Sequence, residues 1–163
     1  MPEATQRRMS LLYQLYLAGQ ASRGLMKLVM AGTGVSGEEY ALYSYLFANG
    51  SRTLTQGARD LGVPLTTLAT LIAAPIERGD IVRYPHPRDG RARLLSLTDA
   101  GRARLQAVIP AFSVGYRAVL AELDEMGADV EPIYAALAQL REAIDEAVRR
   151  VALAEGEAAS KPS

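Results

Sequence analysis

The chain has no cysteine among its 163 residues, which excludes disulfides, thiolate zinc sites and thiol-based redox sensing within it. Histidine is nearly as scarce, with His86 alone. A single imidazole cannot build the usual multi-histidine metal cluster, and the common acid-base dyads and triads lose their customary member, so no metal or cofactor is expected. Apolar runs of about 18 residues are missing too, and with them any expected membrane span. Residues Met1 to Ser10 carry Arg7 and Arg8 with no apolar core or cleavage site behind them, and the chain reads as soluble and cytoplasmic.

Net charge is also absent, because 18 Lys and Arg balance 18 Asp and Glu. A neutral total argues against a nucleic-acid partner, since neutralisation of phosphates supplies most non-specific affinity. The distribution argues the other way. Residues 51–104 hold nine basic against five acidic side chains, whereas residues 105–163 hold five against ten. A basic middle and an acidic end point to one face meeting an anionic partner. With 49% apolar residues, the chain can bury a core as one domain.

Along the chain, Met9, Leu12, Leu15 and Tyr16, then Leu25, Leu28 and Val29, recur at helical spacing, which predicts a helix over 4–31 weakened by Gly19 and Gly24. Ser36 and Glu39 have the spacing of a capping box, so a second helix starts there, buries Leu42, Tyr43, Leu46 and Phe47, and ends at Asn49-Gly50. A third, short helix over 55–61 stops at Gly62. Pro64 then suits the first turn of a fourth helix, in which Leu68, Leu71 and Ile72 share a buried face. The period next shifts to that of strands, over 81–84 and 92–97, with Pro85, Pro87, Asp89 and Gly90 as turn residues between them. Thr98-Asp99 opens a long helix to about Met126 that contains Pro110, and a last helix begins near Asp129 with an apolar stripe at Leu137, Leu140, Ile144 and Val151. Residues 1–154 are expected to form one unit, mainly α with a small β-hairpin wing, and the small polar tail 155–163 is expected to be disordered.

The order of these elements carries the functional reading. Two helices joined by the short turn Leu61-Gly62-Val63-Pro64 have the layout in which the second enters the major groove while the first braces it. A basic hairpin directly afterwards suits the adjacent minor groove, whose negative potential attracts arginine. The run from Arg78 to Arg102, RGDIVRYPHPRDGRARLLSLTDAGR, resembles the wing of the MarR family of bacterial regulators, in its glycine, its Asp-x-Arg pair, its apolar strand and its Thr-x-x-Gly helix start. Outside the wing the resemblance is one of element order, over residues 4 to 152. Gly57, where the family usually carries a larger apolar residue, and Pro75, which interrupts the fourth helix, depart from it.

The resemblance implies a winged helix-turn-helix over 36–98 and a helical dimerisation lobe from helices 4–31 and 99–154. It also implies a homodimer that binds a pseudo-palindromic double-stranded DNA operator, probed by no enzyme chemistry. It assigns Asp89 to stabilising the wing and Arg91 to the minor groove, with Arg88 and Arg93 as further wing contacts. Leu65, Thr66, Thr67 and Thr70 are the candidates for base reading, because threonine hydroxyls bond base edges or phosphates and apolar groups meet thymine methyls. His86 is read as a turn residue near phosphate. Relatives of this kind often release DNA when a small, often aromatic, molecule binds, and Tyr13, Tyr16, Tyr43, Tyr116 and Tyr134 are the candidate pocket residues. Two other readings compete: a small helical enzyme using carboxylates such as Glu142, Asp145 and Glu146, and a winged-helix module that binds protein rather than DNA.

Overall fold

A computed structural model describes residues 3–159, with side chains described for 10–154. The chain divides into two units, Met1–Tyr116 and Arg117–Ser163, and the division falls inside a helix.

In the first unit, α1 (Glu3–Val29) is one helix, and Gly19 and Gly24 do not interrupt it, although each costs a helix interior about 1 kcal/mol relative to alanine. The second helix, α2 (Gly37–Asn49), starts at Ser36 with both halves of the capping box formed: Ser36 Oγ accepts the Glu39 amide at 3.1 Å, and Glu39 Oε2 accepts the Ser36 amide at 3.0 Å. Phe47, read as part of its buried stripe, is instead exposed. A two-residue strand, β1 (Arg52–Thr53), follows, too short to show any alternation in the sequence. Thr53 then caps α3 (Leu54–Leu61) through a second capping box with Gln56.

The turn out of α3 is tight. Gly62 adopts φ of 67°, its amide returns to the Arg59 carbonyl, and the Val63 amide returns to Ala58 at 3.0 Å, a paired closure that only a residue without a Cβ enters cheaply. Pro64 precedes α4 (Leu65–Leu71). The fourth helix of the sequence reading is in fact two: α5 (Ala73–Glu77) follows across Ile72, with Pro75 in its first turn. The break falls at Ile72 rather than at Pro75, and because proline lacks an amide hydrogen, the carbonyl it would have met goes unbonded by it.

The wing is longer than its alternation suggested. Strands β2 (Ile81–His86) and β3 (Asp89–Leu97) pair antiparallel around the two-residue turn Pro87-Arg88, and β1 adds to the other side of β3, giving a three-stranded sheet in the order β1-β3-β2. The expected hairpin therefore carries a third strand. Buried Leu42, Tyr43, Leu46, Leu68, Ile72, Ile81, Leu95, Leu97, Leu105 and Val108 form the core of this unit. Each such side chain contributes about 1.5–3 kcal/mol through removal from water.

Helix α6 (Asp99–Glu125) leaves the wing and contains Pro110. Beyond Tyr116 its last turns belong to the second unit, with α7 (Val130–Ala159). Residues 155–159, read as tail, carry helical backbone, and 160–163 lie outside the described residues.

Candidate nucleic-acid interface

Helix α4 is pinned by one side and open on the other. Leu68 and Ile72 are buried, and Leu68 fills the space beside Gly57, where an added Cβ would come within 3.1 Å of Leu68 Cδ2. The missing side chain at position 57 is thus the room into which α4 packs. On the opposite face Thr66 and Thr70 are exposed, with Thr67, Ala69 and Ala73 to either side, and Leu65 is exposed at the start of the helix. Thr70 Oγ1 donates to the Thr66 carbonyl at 3.1 Å, which engages its proton and leaves its methyl and lone pairs outward. No charged side chain stands on this short helix, so apolar and hydroxyl groups alone face outward.

The wing places its arginines together. Arg88 lies in the turn, Arg91 and Arg93 on β3, all three exposed and without an ion pair to any described residue. Asp89 Oδ1 accepts the Arg91 backbone amide at 3.0 Å, so its carboxylate braces the turn without neutralising an arginine side chain. The register also shifts at the tip: Pro85 faces Arg93 while His86 faces Asp89, so Gly90, Arg91 and Ala92 have no partner on β2 and bow outward as a bulge.

Beneath the wing lies a buried polar cluster that the sequence reading did not pick out. Asp80 Oδ2 accepts the Tyr43 hydroxyl at 2.8 Å and Arg78 Nε at 3.1 Å, while Arg78 Nη2 donates to Glu39 Oε1 at 2.7 Å. Arg104 Nε on α6 lies 2.8 Å from the same Asp80 oxygen but aims past it, an ionic contact rather than a hydrogen bond. Burial pushes the Asp80 carboxyl up, but Arg104, Tyr43 and Arg78 beside it outweigh that and hold it below the usual carboxylate range. Burial is also what pushes the Tyr43 hydroxyl up, to about 12. The Asp80 carbonyl accepts the Thr98 amide at 3.0 Å, and Thr98 Oγ1 donates to the Gly79 carbonyl at 2.7 Å while accepting the Gly101 amide at 3.1 Å. One residue thus joins α2, the end of α5, the start of β2 and the start of α6. An acid set between a glycine and the apolar start of a strand, Gly79-Asp80-Ile81-Val82, was the available signal.

The five tyrosines differ in their surroundings. Tyr43 is fully buried with its hydroxyl held by Asp80, which makes it a core residue rather than a pocket wall. Tyr13 and Tyr16 are exposed on α1, Tyr116 stacks on Phe112 at 6.3 Å between ring centroids, and Tyr134 is exposed on α7. A cavity of about 550 Å³ does lie between α1 and α2, lined by Arg23, Met26, Lys27, Met30, Val35 and Gly37 among others, and by none of these tyrosines.

Solved structures of this arrangement are numerous. A probable transcriptional regulator from Pseudomonas aeruginosa is 29% identical, with a TM-score of 0.69 over 78% of this chain and 94% of that one. The transcriptional repressor CouR, bound to a 23-mer DNA duplex, is 24% identical with a TM-score of 0.69 over 88% and 99%. BpsR of Bordetella bronchiseptica, whose DNA binding is regulated by 6-hydroxynicotinic acid, is 17% identical with a TM-score of 0.67 over 82% and 97%. The chain has the MarR-type winged helix-turn-helix fold. No protein-family model matches it, and no curated protein does. Within the MarR-type fold, α3 and α4 are the helix-turn-helix and β2 and β3 the wing.

Proposed function

We propose that this protein is a sequence-specific double-stranded DNA-binding regulator that represses transcription as a homodimer in the bacterial cytoplasm. One observation carries the reading: an outward threonine face on α4 stands in the same small unit as a wing whose four exposed arginines, Arg83, Arg88, Arg91 and Arg93, form no ion pair with a described acid. Such a face reads base edges, and such arginines neutralise phosphate or enter the minor groove. Two copies are needed, because paired recognition helices meet a pseudo-palindrome about one helical turn apart. Exposed Leu11, Leu12, Tyr13, Tyr16 and Leu17 on α1, and Leu137, Val148 and Val151 on α7, are the apolar surface that a second copy would cover.

Chemistry is not part of this function. The matched structures are transcriptional regulators, and of the carboxylates that invited an enzyme Glu146 is held by Arg149 and Arg150 at 2.8 and 2.9 Å. Release by a small molecule belongs to the reading, and the cavity between α1 and α2 is its candidate seat in place of the tyrosines. Selection from a randomised duplex pool tests the whole. The expected result is enrichment of a pseudo-palindrome, and enrichment of nothing over repeated rounds contradicts the reading in favour of a module that binds protein.

A further inference from the structure

The wing tip contains the chain's one histidine, and it is not placed as a surface charge. Between Val82 and Arg91, His86 is the only residue that is partly buried. It ends β2 immediately before the turn Pro87-Arg88, and its Nδ1 accepts the Arg88 backbone amide at 3.2 Å. Three residues on, Asp89 repeats the device for the Arg91 amide at 3.0 Å. Prolines at 85 and 87 bring no amide hydrogen and fix their own φ, so these two side-chain acceptors hold amides in a stretch where the register shift leaves residues 90–92 unpaired. An amide can donate only to a bare ring nitrogen, so the bond requires Nδ1 without a proton.

We propose that His86 is a positioning residue of the DNA grip: in its neutral form it holds the turn that presents Arg88, and proton uptake at Nδ1 releases that turn. The inference rests on the DNA-binding reading for its consequence, but its structural half stands apart from it. Around the imidazole are Arg88 in the turn, Asp89 as its partner on β3, and Arg91 and Arg93 further along that strand. Of these, Asp89 Oδ1 already holds the Arg91 amide. Asparagine can take over the imidazole's role, because a side-chain oxygen at that position accepts the amide two residues on, as Asp89 does here. Alanine cannot.

The test uses the full chain in two measurements. In the first, NMR follows the lone imidazole and the Arg88 and Arg91 amide protons as the pH is lowered until the imidazole is protonated. The Arg88 amide is expected to lose its hydrogen-bonded shift in step with the imidazole while the Arg91 amide keeps its own, and in His86→Asn both amides are expected to hold throughout. An Arg88 amide that ignores the imidazole overturns the proposal. In the second, affinity is measured near pH 8 for the duplex that the wild-type protein selects from a random pool. His86→Ala is expected to weaken binding roughly three- to tenfold, the worth of one lost hydrogen bond, with His86→Asn close to wild type. Equal affinity of all three overturns the positioning role. If the amides behave as expected but the wild-type protein selects no duplex, the DNA reading fails and the proton-controlled turn stands.

Discussion

Arg91 occupies the bulged side of the wing, its backbone tied to Asp89 and its guanidinium unpaired among the described residues. Replacing it removes a charge that the fold does not use. Arg91→Ala is expected to weaken DNA binding by about 1–3 kcal/mol and to leave the melting temperature unchanged, which titration of a labelled duplex and a thermal melt check together. Asp80 is the opposite case. Its side chain is 1% exposed and is shared by two arginines and a tyrosine hydroxyl. Asp80→Asn is expected to destabilise the fold by about 2–4 kcal/mol, somewhat below the loss of a fully buried pair, because Arg78 and Arg104 keep about a third of their side chains in water. The pH dependence follows from the direction of the shift. A carboxyl held below its ordinary 3.8 in the folded state contributes stability that is fully present above that value and is lost as pH falls below it. Denaturant midpoints are therefore expected to fall more steeply below about pH 4 in the wild type than in Asp80→Asn. Parallel curves would mean that the carboxylate is not favoured by its neighbours.

Helix α6 meets the winged unit through a close approach that only glycine allows. A Cβ at Gly101 would sit inside the Asp80 carbonyl oxygen, against a backbone that cannot rotate away. Gly101→Ala is accordingly expected to cost more than about 2 kcal/mol in spite of alanine's better helix propensity, and a melting temperature equal to the wild type's would show that α6 can shift to accommodate it. The same element shows how far sequence reasoning reached. Thr98 and the Thr-x-x-Gly spacing marked where α6 starts, and Ser36 and Glu39 marked α2, because capping is local chemistry written in adjacent residues. The equal box at Thr53 and Gln56 was passed over, and β1 beside it was invisible, because a two-residue strand exists only through its pairing of Arg52 with Leu95 and Thr53 with Leu94, far along the chain. The Asp80 cluster failed for the same reason: its members are separated by 37, 2 and 24 residues, and only the fold brings them to one oxygen. The exposed threonine face of α4 was legible because Leu68 and Ile72 claim the other side by helical period. The place of Tyr43 was not, since an aromatic ring fits a core as well as a pocket, and Tyr43 took the core.

At the scale of the molecule, exposed apolar groups and segregated charge have to be explained together. Leu12 and Tyr16 on α1 are 61% and 57% exposed, a poor arrangement for a chain alone in water and a suitable one for a two-fold interface. The double substitution Leu12→Glu and Tyr16→Glu is expected to yield a monomer by sedimentation and to lose specific DNA binding with it, and a variant that remains dimeric would move the interface elsewhere. The central claim is that two wings and two recognition helices grip one duplex. The measurement that tests it most directly is the affinity for the selected duplex against salt concentration. Arg88, Arg91 and Arg93 of each copy make six phosphate contacts and lead to a logarithmic slope of roughly −5, at about 0.9 for each phosphate neutralised, together with a preference over random duplex of at least about a thousandfold. A slope near zero with no preference would contradict the account.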